Sequence, residues 1–376
     1  GTSISSGAGF FPVGTSSPRF TGTLEGSGKT VSNLYINRPT TDYIGLIGFL
    51  DTTGKVLNVT MENVNLAGYR TVGGLVGYNW GYVYGSRTSG TVIGNYYNIG
   101  GIVGYNYGAT AVTTRCSSSA NVTSLANNAG GIVGYCMGAV SNSSSTGIVI
   151  AINYAGGLGA YMSGVTLSNC YAWGDATATG NYAGGLVAFA SSGSITNCYS
   201  KGRATASSFK GGLIGSNSGT VTSSYWDTET SGNPTSAGGT GKTTAQMKNH
   251  LTFTSAGWDF VDIWHMRDTV TYPMFEWQPL PNAGVFQDFT GVAWEGVSNR
   301  FWVCGDYNPG VSSSVYYADS ADFSDLVPVP AAPQQSFTAI AADELGNILV
   351  GGNGLPGLYY YDHVGNVWHT IVETTL

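Results

Sequence analysis

Charge is what this sequence has least of. Only 9% of its 376 residues are Asp, Glu, Lys or Arg, against about a quarter in ordinary globular chains. No run of basic residues is present, which argues against a nucleic-acid partner. Between Gly73 and Trp226 the single carboxylate is Asp175, and there is no histidine. Glycoside cleavage needs two carboxyl groups about 5–9.5 Å apart, and that stretch cannot supply them. Five cysteines without a C-x-x-C, and only four histidines, do not give zinc-site spacing. No cofactor or metal is implied. No apolar stretch approaches the roughly 18 residues of a membrane-spanning helix, so insertion into a membrane is not expected. The chain starts at Gly1 with neither an initiator Met nor a signal-peptide pattern, which reads as a piece trimmed from something longer.

What is abundant is glycine, at 57 residues, together with 24 Tyr and 9 Trp. A disordered polar chain would lack those aromatics, and collagen would place Gly at every third position. Few charges with many Gly, Ser, Thr and aromatics point to an extracellular, β-rich protein. The charge is also divided: the net is +5 before Asp227 and −12 from Asp227 onward.

The glycines recur. "GGLVGYNWG" begins at Gly73, "GGIVGYNYG" at Gly100, "GGIVGYCMG" at Gly130, "GGLGAYMSG" at Gly156, "GGLVAFASSG" at Gly184 and "GGLIGSNSG" at Gly211. The intervals are 27, 30, 26, 28 and 27 residues, and a degenerate copy starts at Ile44. Units this short hold only a few strands broken by Gly, Asn and Ser, and none can bury a core alone. Stacking them gives an all-β solenoid of about seven rungs. In it the Gly pair serves a corner that needs positive φ or close backbone approach, and the Leu, Ile or Val that follows fills the axis. Ala160 and Ala188 replace the later Gly in two copies, which puts that corner in question.

The units "GGLVGYNxGxV" and "SNCYSxG" resemble the GLUG-motif repeats of bacterial surface and adhesin-type proteins. The lead-in from Phe20 to Pro39 and the tail beginning "SSYWDTETSGNPTSAGG" are similar to that family as well, so the likeness spans about residues 20 to 278. The resemblance implies a right-handed parallel β-helix with adhesive or structural roles, and it brings no catalytic residues with it. After "YPMFEWQPLPNAG" two stretches, from Phe289 and Phe337, repeat at a spacing of 48 residues. They resemble sialidase-type β-propeller blades, each strand–turn–strand–loop–aromatic strand–turn–strand. The resulting division is a solenoid over 1–226, a cap with a short helix and an aromatic cluster over 227–280, and two blade-like repeats over 281–376.

Four features invite a chemical reading. "GGTGKTTAQ" looks like part of a phosphate-binding loop, but the Gly required at position 236 is Ser236. Thr243 and Gln246 instead form the T-x-x-Q pattern of a capping box. Aromatics fall in columns: Tyr78, Tyr105, Tyr135, Tyr161 and Phe189 in one, Tyr154, Tyr182 and Phe209 in another. Such rows either stack as ladders or bind sugar rings. Trp80, Tyr82, Tyr84 and Tyr107 follow the motif and are the candidate ligand-binding patch. Cys170 and Cys198 share a repeat position with Cys116, and stacked rungs bring neighbours within disulfide reach. The expectation is a buried column of mostly free thiols, with a Cys170–Cys198 bond as the alternative in an oxidising compartment.

The chain therefore reads as a non-enzymatic extracellular rod on a cell surface, or on a virion if phage-encoded. Its expected partners are a cell-surface glycan or protein receptor and further chains or copies of itself. The alternatives are a glycosidase or lyase acting through Asp319 or Asp343 in the C-terminal repeats, and a spacer without a ligand.

Overall fold

A computed structural model describes residues 7–278, 289–295, 300–305, 315–318, 327–329, 337–343, 345–351, 358–362 and 367–371. The chain divides into two compact units, Gly1–Asp259 and Phe260–Leu376. The first is a parallel β-solenoid of about seven turns. Turn two shows the plan: Val72–Gly73, Val76–Asn79, Tyr82–Tyr84 and Arg87–Gly94, each strand parallel to its counterparts in the turns before and after. Register along the ring-bearing strands is kept, with Tyr78 beside Tyr105, then Tyr135, Tyr161 and Phe189. The uneven intervals of the repeat are taken up mostly between strands, with one register shift inside Arg87–Gly94, between Thr88 and Gly90. An incomplete turn precedes the first, with Val13 bridged to Ile47 and Phe20 to Leu50.

Leu75, Ile102, Ile132, Leu158, Leu186 and Leu213 stack along the axis and are fully buried. Each such side chain contributes roughly 1.5–3 kcal/mol relative to exposure. Opposite the Gly pairs the interior is small and polar: Thr88, Ser118, Ser145, Ala172 and Ser200 stand against the second Gly of each pair. The Thr88 and Ser200 hydroxyls donate to the Gly101 and Gly212 carbonyls at 2.7 Å. Large side chains are excluded there because the backbone itself comes close. A Cβ on Gly74, Gly101, Gly157 or Gly185 would overlap the carbonyl of the second Gly in the next turn.

The Gly pairs thus serve close approach, and none of them takes positive φ. The left-handed corner lies elsewhere, once in every turn, at Asn58, Gly85, Arg115, Asn142, Asn169, Asn197 and Ser223, with φ between 45° and 61°. Asn is the residue that tolerates this conformation best after Gly. Ala160 and Ala188 fit without breaking the ladder. Gly77, Gly104 and Gly134 press against the left-handed residues Tyr43, Thr71 and Asn98 of the preceding turn. The corresponding Asn128 and Tyr154, ahead of Ala160 and Ala188, are ordinary strand residues, so a methyl group has room.

The solenoid ends in a cap. Tyr225–Asp227 pairs with Thr240–Lys242 as a final partial turn. Asp227 then caps the helix Thr228–Ser231, accepting from the amides of Glu229 and Thr230 at 2.9 and 3.0 Å. Thr243 and Gln246 make the reciprocal capping box at the helix Thr244–Met247. The Gly-Lys-Thr stretch is therefore an edge strand running into a helix cap. Trp264, Tyr272, Phe275 and Trp277 belong to the second unit. That unit also holds two four-stranded antiparallel sheets, Phe289–Glu295 to Val327–Pro328 and Ala339–Ala342 to Val367–Ile371. Trp302, Cys304, Phe337, Val350 and Tyr361 form a core they share.

Candidate functional site

The broad strands Ile47–Leu50 through Ile214–Asn217 lie side by side in one seven-stranded sheet. Period-two alternation sends their aliphatic residues inward and every ring outward. Phe49, Tyr78, Tyr105, Tyr135, Tyr161 and Phe189 then follow one another with centroids 4.5–4.9 Å apart. This is the rung spacing of parallel strands, about 4.8 Å. Burial raises the phenol pKa of Tyr78, Tyr105 and Tyr135, so the column stays uncharged. A second column, Tyr154, Tyr182 and Phe209, runs alongside with parallel rings 4.9 and 4.8 Å apart. It meets the first edge-on, as Tyr154 does Tyr161 at 5.7 Å.

The four residues of the candidate patch fall into two pairs. Trp80 and Tyr107 stand together at 6.0 Å on the ladder face. One face of Trp80 is covered by the Arg19 guanidinium, 4.1 Å from the ring centre and also 4.7 Å from Phe49. Tyr82 and Tyr84 lie on the next strand, past the corner at Gly81, and stack on each other at 6.0 Å. Arg115 donates 3.2 Å to the Tyr84 hydroxyl.

The position that Tyr154 occupies is filled by Asn98 in turn three and Asn128 in turn four. The second column therefore stops at Tyr154, and a depression of about 360 Å³ opens beside it, walled by Tyr97, Tyr105, Tyr135 and Tyr161. The Asn128 amide nitrogen donates 2.9 Å to the Asn98 amide oxygen. This depression was not legible as a site, because only the paired register shows that an Asn stands where the flanking turns carry a ring.

The five cysteines are free and buried. Cys116, Cys170 and Cys198 share their column with Ser86, Ser143 and Ser224, and each side chain reaches back to the carbonyl two residues earlier. Burial pushes the Cys116 thiol up to about 12 and Cys136 to about 11, and it raises Cys170 as well. Folding thus holds protons that the unfolded chain releases near the ordinary thiol value of 9.0. The stability carried by these neutral thiols is complete below pH 9 and is lost as pH rises from 9 toward 12. A chromogenic thiol reagent at pH 8 is expected to find none of the five in the native chain and all five in denaturant. A count of three in denaturant would reveal a Cys170–Cys198 bond.

Asp343 gives both carboxylate oxygens to its own turn, accepting from the Leu345 and Asn347 amides and from the Asn347 side chain at 2.8–2.9 Å. These bonds lower its pKa and fix it as a turn residue. Asp319 lies outside the described residues. No helix among the described residues is long and apolar enough to cross a membrane.

Fold and face together define a structural repeat β-solenoid with an aromatic lateral surface. The chain carries the GLUG motif, whose model matches residues 179–205, and it is a GLUG-repeat solenoid. Over 97 residues, 25% of the chain, it is 41% identical to Halomucin of Haloquadratum walsbyi. Over 80 residues, 20% of the chain, it is 34% identical to a putative Gly-rich membrane protein of Evansella cellulosilytica. These stretches cover only 1% and 9% of the respective relatives. No solved structure matches the chain.

Proposed function

We propose that the protein is a non-enzymatic attachment rod displayed outside the cell, on a cell surface or a virion. The observation that carries this reading is the ladder itself. From Phe49 to Phe189, turn after turn presents a ring at the same height on the same face, so one weak contact is offered many times along one sheet. Repetition of that kind gives avidity without any single strong site. The low charge of the solenoid, the commitment of Asp343 to its turn and the likeness to surface-type repeat proteins support the same reading. Trp80 with Tyr107, and Tyr82 with Tyr84, are further contact points on the rod for a glycan or protein receptor. The test is retention of bacterial and animal cells on beads coated with the full chain. Retention above beads coated with an inert protein of similar charge, competed away by soluble chain, is the expected result. Equal retention on both would leave a ligand-free spacer.

A further inference from the structure

We infer that the gap in the second aromatic column is a binding site for one neutral pyranose ring of a surface glycan. This rests on the attachment reading and assigns its ligand. Tyr154 is stacked on one side by Tyr182, at 4.9 Å and 3° between planes. On its other side the column position is Asn128, so that face of Tyr154 has no ring against it. The apolar C–H face of a sugar fits an aromatic platform of this kind, and the rung spacing leaves it one ring's thickness. Tyr135 and Tyr161, stacked at 4.7 Å, form the adjoining wall.

The polar half of the site is the amide pair. Asn98 and Asn128 are only 4% and 7% exposed. Apart from the bond between them, the Asn98 amide nitrogen and the Asn128 amide oxygen have no side-chain partner among the described residues. Both residues line the depression, and the two ends of the amide pair offer one donor, Asn98 Nδ2, and one acceptor, Asn128 Oδ1, to sugar hydroxyl groups. None of the lining residues is ionised, and Arg70, which donates 3.2 Å to Tyr97, is itself paired with Asp42. A charged sugar therefore finds no counter-ion, and a neutral hexose does not need one. The volume of about 360 Å³ lies at the small end of the usual range for small-molecule sites, about 300–1,000 Å³.

The substitution Asn128→Tyr continues the column by one ring and fills the gap. In the full chain it is expected to leave the melting temperature unchanged or higher while weakening binding to an array of immobilised neutral oligosaccharides at least tenfold. Tyr154→Ala, which removes the platform, is expected to weaken it equally, and Val31→Ala, at an exposed residue outside both ring columns, to leave it unchanged. Array binding that survives both Asn128→Tyr and Tyr154→Ala overturns the site. Cell retention that persists after complete enzymatic deglycosylation overturns the ligand and points to a protein receptor, with the attachment reading intact. A wild-type chain that binds neither array nor cells overturns the attachment reading as well.

Discussion

Replacing Gly184 by alanine is expected to destabilise the solenoid by at least about 3 kcal/mol, the upper end of ordinary overpacking. The first Gly of each pair faces inward across its own corner. At Gly184 an added Cβ would lie on the Val187 carbonyl oxygen and carbon, with the Gly215 amide nitrogen close behind. All three are backbone atoms of paired strands, so no flexible side chain is available to give way. Relief requires opening the corner between Tyr182–Gly184 and Val187–Ala190, which loosens pairing with turns five and seven together. In a solenoid each turn is stabilised only by its neighbours, so a defect in turn six also divides the array. Chemical denaturation of the full chain followed by circular dichroism is therefore expected to show a lower midpoint and a broader transition. Gly164→Ala is the matched control. Gly164 is left-handed, at φ 67°, but its nearest neighbour is the Ser192 hydroxyl at 3.9 Å. It should cost only the left-handed penalty of about 1–2 kcal/mol. Equal effects at the two positions would show that conformation, and not crowding, selects glycine in this fold.

The solenoid was legible because its signal repeats. Each copy restates the same Gly pair and the same axial Leu or Ile, and all but the last the same outward ring, so register follows from alignment of the copies. Two features of the corners were less accessible. "NC" in the later copies marks a left-handed Asn followed by an inward side chain, yet the same place is held by Gly85, Arg115 and Ser223, and no composition rule links those four residue types. The tolerance of Ala160 and Ala188 depends on the conformation of Asn128 and Tyr154 one turn away, information that is not local in sequence. The candidate patch shows the same limit. Trp80, Tyr82, Tyr84 and Tyr107 cluster along the chain, but the corner at Gly81 separates Tyr82 and Tyr84, on their own strand, from Trp80 and Tyr107, which follow the ring-bearing strands of two successive turns. Asn98 and Asn128 carry no motif, and what distinguishes them is the absence of a ring in a column that exists only once the turns are stacked.

Removing residues 235–259 from the full chain is expected to make it aggregate. The last turn would otherwise present a row of unpaired backbone groups and a cross-section of the core, the template by which sheet edges associate. The cap meets both hazards. Thr235 accepts from the Gly212 amide and Ala237 donates to the Ile214 carbonyl, each at 3.0 Å. The Ser236 hydroxyl takes the Leu213 and Ile214 amides at 3.2 and 2.8 Å. Thr240–Lys242 completes the pairing along Tyr225–Asp227. Over the apolar part lie Met247, Phe253 and Trp258, all buried. Phe253 meets Tyr225 edge-on at 5.6 Å, and the Trp258 indole donates 2.9 Å to the Ser223 carbonyl. These contacts are spread over strand, hydroxyl and helix, so no rearrangement of the remaining residues replaces them. Size-exclusion chromatography should show loss of the peak that the intact chain gives, with a rise in thioflavin fluorescence if the exposed turns add edge to edge. A deletion chain that elutes like the intact chain and keeps its melting temperature would mean that turn seven is self-sufficient, and that the Gly-Lys-Thr stretch has some task other than closing the rod.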